Sequence, residues 1–227
     1  MYDIIFISYN EPNADKNWQA LRSRFPTAQR IDGVKGIHNA HKKAAEVSLT
    51  KMFWVVDADA VILPEFNFEY SDAYKDINYD TVYVCKSKNP INNLVYGYGG
   101  VKLLPKALTQ VIDTNSFDMT TSISEKFVPL PEVSNITEFN TDPFNTWKSA
   151  FRECAKLASQ AIDRQDNLET SSRLETWITV NNGSEFGNYA TLGAKQGKEF
   201  GENNRADISS INDFAWLKNR FDQQEKI

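Results

Sequence analysis

The sequence predicts an α/β protein: a mainly parallel sheet flanked by helices, followed by a helical C-terminal third. Three observations carry this. Ile4-Ile5-Phe6-Ile7 and Met52-Phe53-Trp54-Val55-Val56 are nearly continuous apolar runs, the composition of strands buried on both faces. Segments with helical spacing lie between the early runs, which is the alternation that right-handed parallel crossovers require. From Trp147 onward, apolar residues recur every three or four positions.

The first run stops at Ser8-Tyr9-Asn10-Glu11-Pro12, a polar loop at a strand's end. A helix from about Asp15 to Phe25 is closed by Pro26, and Gln29-Arg30-Ile31 suits a short strand. Gly33 and Gly36 mark the turn that follows. Ile37, Ala40, Ala44, Ala45 and Val47 share one helical face, and the Met52 run is then the third strand. Another strand is expected over Thr81 to Cys85. Leu94-Val95-Tyr96 with Tyr98 to Leu103 reads as a strand pair bent at glycine, with Pro105 opening a helix. Thr114 to Thr146 is weakly periodic and reads as a long loop. Trp147, Ala150, Phe151, Cys154, Leu157, Ala158, Ala161 and Ile162 form the clearest helix. Further helical segments cover Arg173 to Val180, Phe186 to Gln196 and Ser209 to Phe221. The expected division is a ligand-binding half, residues 1–112, and a loop and helical region, residues 113–227, in one continuous domain.

Composition narrows the function. A chain of 227 residues that is 41% hydrophobic and 12% aromatic is not disordered. Its 25 basic and 30 acidic residues give −5, without the uniform basic field of a general nucleic-acid binder. Two cysteines exclude a disulfide framework and a Cys-based zinc site. The N-terminus lacks a positive region before a short apolar run, so a cytoplasmic chain without membrane insertion is expected. Thr81 to Ile112 holds Lys86, Lys88, Lys102 and Lys106 with no acid. Those lysines are either ordinary solvated side chains or a surface for a polyanion.

The sharpest feature is Val55-Val56-Asp57-Ala58-Asp59, an apolar strand running into two carboxylates one residue apart. In an extended chain alternation places Asp57 and Asp59 on one side. Paired carboxylates repel unless a cation or proton relieves them, and Mg²⁺ or Mn²⁺ suits an all-oxygen site without Cys or clustered His. Such a pair at a strand's carboxyl end lies where doubly wound sheets bind ligands. His38 and His41 share a helix face without a third nearby ligand, which favours a surface or ligand-contact role over zinc.

Together, Ile7-Ser8-Tyr9-Asn10-Glu11, Gly36 with the helix beyond it, Val55-Val56-Asp57-Ala58-Asp59 and Tyr96-Gly97-Tyr98-Gly99-Gly100 resemble the GT-A glycosyltransferases over about Tyr2 to Leu104. The resemblance implies a GT-A, Rossmann-like fold and a nucleotide-sugar-binding first half. The implied activity is transfer of a hexosyl or pentosyl group from a nucleoside diphosphate sugar, UDP-sugar first, to an acceptor hydroxyl. By the same resemblance Tyr9, Asn10 and Glu11 contact the base or ribose, Asp32 reaches the nucleoside, and Lys35 and Gly36 lie near the ribose or sugar. Asp57 and Asp59 hold Mn²⁺ or Mg²⁺ and the diphosphate, Asp57 counting also as a donor contact. Tyr98, Gly99 and Gly100 frame sugar and acceptor, with Trp147 beside them. Asn10-Glu11-Pro12 also reads as a plain turn, and Gly33 and Gly36 as backbone geometry alone.

The chain departs from the family where acidic residues often follow the glycine segment, since Val101-Lys102-Leu103-Leu104-Pro105 stands there. The candidates for a catalytic carboxylate are Asp142, before Pro143, and Glu153, beside the apolar face of Phe151 and Cys154. Asp142 also suits a turn, and Glu153 a solvated helix position. Trp147-Lys148-Ser149-Ala150-Phe151-Arg152-Glu153-Cys154-Ala155-Lys156-Leu157 resembles a segment in small GT-A-like proteins of tailed bacteriophages. That likeness implies an acceptor such as a hydroxymethylated base in phage DNA within a host cytoplasm; a glycan acceptor fits as well. The alternatives are a non-catalytic nucleotide- or sugar-binding module and a nucleotidyltransferase.

Overall fold

The computed structural model describes residues 2–70, 77–97, 99–113, 119–160 and 166–223. Its contacts separate a sheet unit, Met1–Asn89 with Val95–Glu138, from a helical unit, Pro90–Leu94 with Phe139–Ile227.

In the sheet unit the order is β1 (Asp3–Ser8), α1 (Ala14–Arg24), β2 (Gln29–Asp32), α2 (Ile37–Val47), β3 (Met52–Asp57) and β4 (Ala60–Ile62). Then come β5 (Val82–Lys88), β6 (Val95–Tyr96), β7 (Val101–Pro105), α3 (Lys106–Gln110), α4 (Met119–Ile123) and β8 (Phe127–Thr137). The strands lie in the order β2-β1-β3-β7-β5-β8-β4, with β6 on β5. β1 pairs in parallel with β2 and β3, and β5 with β8; the other pairings are antiparallel. The α/β class and the helical last third stand as expected, and the arrangement is consistent with a GT-A, Rossmann-like fold.

The continuous apolar runs follow from burial on both faces. Ile4, Phe6, Met52, Trp54 and Val56 point to one face, where Ala14 and Leu21 of α1 meet them. Ile5, Ile7, Phe53 and Val55 point to the other, against Ala40, Ala44 and Ala45 of α2. A strand covered by helices on both sides has no polar face to alternate with. Trp54 is 1% exposed and meets Phe66 and Phe68 edge-on at 5.9 and 5.8 Å.

Two expectations for this unit change. The long loop read over Thr114 to Thr146 contains the 11-residue strand β8. Its prolines and polar residues hide the period-2 pattern, and it enters the sheet in parallel with β5 across two register shifts. The expected hairpin about the glycines is absent among the described residues: β6 pairs with β5, while β7 runs between β3 and β5.

The helical unit contains α5 (Pro143–Ser159), α6 (Asn167–Thr179), α7 (Gly187–Asn203), a 3-10 turn (Ser209–Asn212) and α8 (Phe214–Asp222). α5 begins four residues before the predicted apolar face because Asp142 caps it, accepting from the Asn145 amide at 2.8 Å, and Pro143 occupies the first turn. α5 and α7 pack with their backbones in close approach. A Cβ added to Gly193, Gly197 or Gly201 would overlap the carbonyls of Trp147, Phe151 and Ala155 in turn. These glycines recur every four residues and so form one stripe on α7. Phe200, Trp216 and Phe221 close over Trp147 and Phe151, with ring centroids 4.9 to 6.0 Å apart. Among the described residues, no helix is long and apolar enough to cross a membrane.

Gly197→Ala tests this contact. The methyl improves helix propensity by up to about 1 kcal/mol but forces the backbones apart, so a net loss of about 2 kcal/mol or more is expected in urea unfolding. Gly183→Ala, where no atom lies within 4 Å and only φ = +63° resists a side chain, should cost about 1 kcal/mol.

Candidate functional site

The parallel strands bring three carboxyl ends to one edge of the sheet. Ser8 of β1 stands beside Asp32 of β2, and Ile7 beside Asp57 of β3. Tyr9, Asn10, Glu11, Asp32, Lys35 and Gly36 are all exposed and follow β1 and β2 at this edge. The Ser8 hydroxyl donates to Asp32 at 2.5 Å, and Arg30 donates to Ser8 at 2.8 Å, Asp32 at 3.1 Å and Asp15 at 2.6 Å. The Ser8 hydrogen bond, aided by the Arg30 charge, holds the Asp32 carboxyl below the usual range. Asp32 therefore offers acceptors only. Glu11 accepts from the Tyr9 amide at 2.8 Å, which folds that loop back on itself, and Gly36 (φ +88°) leads into α2.

Asp57 ends β3 and is held twice. Its amide donates to the Gly100 carbonyl at 2.9 Å, and its carboxylate accepts from Lys102 Nζ at 2.9 and 3.2 Å. Lys102 sits on β7 opposite Val55 and is 3% exposed, so the ammonium is enclosed. Nζ also donates to the Gly99 carbonyl. The reading of Lys102 as part of a polyanion-facing lysine surface is thereby corrected: its charge is spent inside the molecule. Lys106 likewise turns inward to the Ser48 carbonyl at 2.6 Å.

Beneath the glycine segment lies Asn135 of β8, fully buried. Its Oδ1 accepts from Ser87 and Ser134, each at 2.8 Å, and its Nδ2 donates to Thr137 at 3.1 Å. A Cβ on Gly100 would lie 2.7 Å from Asn135 Nδ2, so only glycine lets the turn rest on this amide. Gly99 takes φ = +84°. Tyr98, the third member predicted here, lies outside the described residues.

Ala58 and Asp59 form a turn rather than a continuation of the strand, and β4 starts at Ala60. Asp59 has no cation within ion-pair distance among the described residues, whereas Asp57 has Lys102. Burial, then the charges of Asp57 and Glu11, push the Asp59 carboxyl up to about 7. Burial also raises Asp57, opposed by the Lys102 charge. Asp59 is tied to the residue that follows β8 through its carbonyl, which accepts from the Glu138 amide at 2.7 Å. Glu138 in turn accepts from Asn13 Nδ2 at 3.4 Å and pairs with Lys16 at 3.6 Å.

These donors bear on the metal expectation. Among the described residues no group of three His, Cys, Asp or Glu converges closely enough to hold a metal ion. Asp57 is taken up by Lys102, and Asp59 is the half-buried carboxylate left without a counter-charge, so the described side chains at this turn offer a cation one free carboxylate. His41 is not a surface group as expected. It is fully buried, Nδ1 donates to the Ile37 carbonyl at 2.8 Å, and burial, then the Lys102 charge, lowers its pKa to about 3.

The remaining predicted residues lie in the helical unit. Asp142 serves as the α5 cap, and Glu153 is half-buried on that helix. Trp147, expected to face sugar, is corrected to a core residue: it is 0% exposed, donates Nε1–H to Gln196 at 2.7 Å and stacks among Phe144, Phe151 and Phe221. The sequence reading missed Lys102 as an internal cation, Asn135 and Glu138. A lone lysine at an inward position of an apolar strand, Val101-Lys102-Leu103-Leu104, was the available signal for the first.

No protein-family model matches the chain, and no curated protein matches it. Among solved structures it is similar to the mannosyltransferase PcManGT from Pyrobaculum calidifontis in complex with GDP-Man and Mn²⁺, at 10% identity, 98% of this chain, 88% of that one and a TM-score of 0.46. It is also similar to HddC from Yersinia pseudotuberculosis, at 11% identity, 59% and 92% coverage and 0.41. A glycosyltransferase involved in glycosylation of the major capsid of PBCV-1 matches at 10% identity, 56% and 80% coverage and 0.33. Similarity at this level concerns the path of the chain and not its chemistry.

The pKa directions give a signed test. Asp59, raised to about 7 when folded, contributes less stability as pH rises from about 4 to 7. His41, lowered to about 3, works oppositely, its contribution growing from about pH 3 to 6.5. Asp59→Asn removes the first of these contributions, so the stability gained by the variant should widen from pH 4 to 7, by on the order of 3 kcal/mol, and stay constant above. Denaturant unfolding across this range checks it, and a gain independent of pH would contradict the burial of Asp59.

Proposed function

We propose that the chain is a glycosyltransferase that moves a sugar from a nucleoside diphosphate sugar to an acceptor hydroxyl. The observation that supports this best is the Asp57–Asp59 carboxylate pair at the carboxyl ends of parallel strands, framed by a glycine turn and an exposed acceptor-only Asp32. On this reading Tyr9, Asn10, Glu11 and Asp32 contact the nucleoside, and Lys35 and Gly36 the ribose or sugar. Gly99 and Gly100, with Tyr98, frame the sugar. Asp59, with Asp57 beside it, would hold Mn²⁺ or Mg²⁺, which would supply positive charge to the diphosphate.

A divalent ion, when bound, neutralises charge gathering on the departing diphosphate. The protein's own share is to fix the donor against the sheet edge. In the transfer the acceptor oxygen bonds to the anomeric carbon, the bond from that carbon to the diphosphate oxygen breaks, and a carboxylate takes the hydroxyl proton. Glu153, Asp142 and Glu138 are the carboxylates proposed for that proton, and single amide replacements separate them. Modified DNA in a phage-infected cytoplasm and a glycan are the acceptor classes proposed, and UDP-sugar is the donor tried first.

The test is thermal unfolding with UDP, GDP, CDP and their sugar forms, each with and without Mn²⁺, on the parent and on Asp59→Asn. One nucleotide at 100 times its Kd should add about 2.7 kcal/mol, or roughly 5 to 10 °C, only when metal is present and only in the parent. A metal-dependent shift without sugar release would support a binding module instead. No shift with any nucleotide would end the donor assignment.

A further inference from the structure

In the helical unit, cations and aromatic rings alternate along one face of α5 and α8. Lys218 Nζ lies 5.6 Å from the centre of the Phe144 ring, and Lys148 Nζ lies 5.3 Å from that ring and 4.7 Å from the Phe214 ring. Arg152 Cζ follows, 5.4 Å from Phe214. Phe144, Lys148 and Arg152 stand on successive turns of α5, and Phe214 and Lys218 on successive turns of α8, so these side chains form one strip. Phe214 is 51% exposed, and Lys218 is exposed as well. Lys148 donates to Asn145 Oδ1 at 2.7 Å, and Arg152 to the Ile211 carbonyl at 2.9 Å and Asn212 Oδ1 at 3.0 Å. These neutral acceptors aim the cations without neutralising them. Of the neighbouring acids, Asp142 and Asp213 cap the two helices, Glu153 is half-buried on α5, and Asp222 pairs with Lys218 in an exposed contact of the weak, exchangeable kind.

From this alternation we infer that the α5–α8 face binds single-stranded nucleic acid, with a base stacked on Phe214 and the flanking phosphates on Lys148, Arg152 and Lys218. The strip concentrates positive charge in a chain whose net charge is −5, and like charges this close repel until an anion meets them. A strand of phosphates bearing flat bases matches it in both respects: phosphates meet the ammonium and guanidinium groups, and a base meets the open ring. A polyanion without bases would meet the cations alone. The surface stands on the helical unit by itself. That the bound strand is also the sugar acceptor rests on the glycosyltransferase reading above, and within that reading the strip favours nucleic acid over a glycan.

Fluorescence anisotropy of a labelled oligothymidylate of about 20 nucleotides, titrated with the full chain over a series of salt concentrations, tests this. The parent should bind, with an affinity that falls as salt rises. Lys148→Gln should reduce the slope of log affinity against log salt by about 0.7, the share of one phosphate contact on a single strand. Phe214→Ala should weaken binding about fivefold or more and leave that slope unchanged, which separates stacking from charge. Dextran sulfate, a polyanion without bases, should be bound equally by the parent and Phe214→Ala. No binding by the parent at low salt would overturn the inference, as would an unchanged oligonucleotide affinity in folded Phe214→Ala or the same loss with both polymers. If Phe214→Ala fails to fold, Phe214→Leu keeps the apolar bulk without the flat ring, and the same loss is expected. The titration contains no nucleotide sugar, so failure of the donor reading in the thermal test leaves this surface standing, and failure here leaves the donor reading standing.

Discussion

The enclosed pairing of Lys102 with Asp57 is the interaction on which the sheet edge depends. Taking two charges out of water is favourable only when geometry and hydrogen bonding are good, and breaking such a pair on one side costs about 3 to 5 kcal/mol. With the Asp57 side chain 30% exposed, the lower end applies. The pair also joins elements distant in sequence. It ties the end of β3 to β7 and fixes the Gly99 carbonyl, while the Gly100 carbonyl takes the Asp57 amide and Asn135 supports Gly100 from below. A disturbance at any of these positions reaches Asp57 through one or two contacts.

The helical unit rests on a different constraint. Glycines 193, 197 and 201 remove every side chain between two backbones, so α5 and α7 are held by close packing of main chain and by aromatic rings on either side. Such contact offers dispersion energy at short range but tolerates no added volume. Arg220 lies over the rings of Phe151, Phe200 and Trp216 at 5.3 to 5.9 Å, covering that aromatic surface with its guanidinium.

Much of this was legible in the sequence, for physical reasons. The runs ending at Ser8 and Asp57 announced strands because burial on both faces leaves no alternation to blur, α2 and α5 announced themselves by periodicity, and α1 by the Pro26 that closes it. β8 was hidden, since Pro129, Pro131, Ser134 and Asn135 are turn residues by composition, and Asn135 is inside only because Ser87, Ser134 and Thr137 satisfy it. The carboxylate pair was visible as a motif, but not the inequality of its members, which depends on a lysine across the ladder. Trp147 shows the converse error. The family resemblance put it beside the sugar, whereas its helical spacing with Phe151 already placed it in the core.

The strand order has a consequence for synthesis. Asp57 finds its partners once the chain has been made through Lys102, but among the described residues β4 pairs with β8 alone, at the far edge of the sheet. The backbone carbonyl of Asp59 thus waits for the amide of Glu138. On a ribosome the two halves of the Asp-Ala-Asp turn mature at different times, the second only as the last strand emerges. Until then β4 is an unpaired edge in the nascent chain, the kind of surface that chaperones shield.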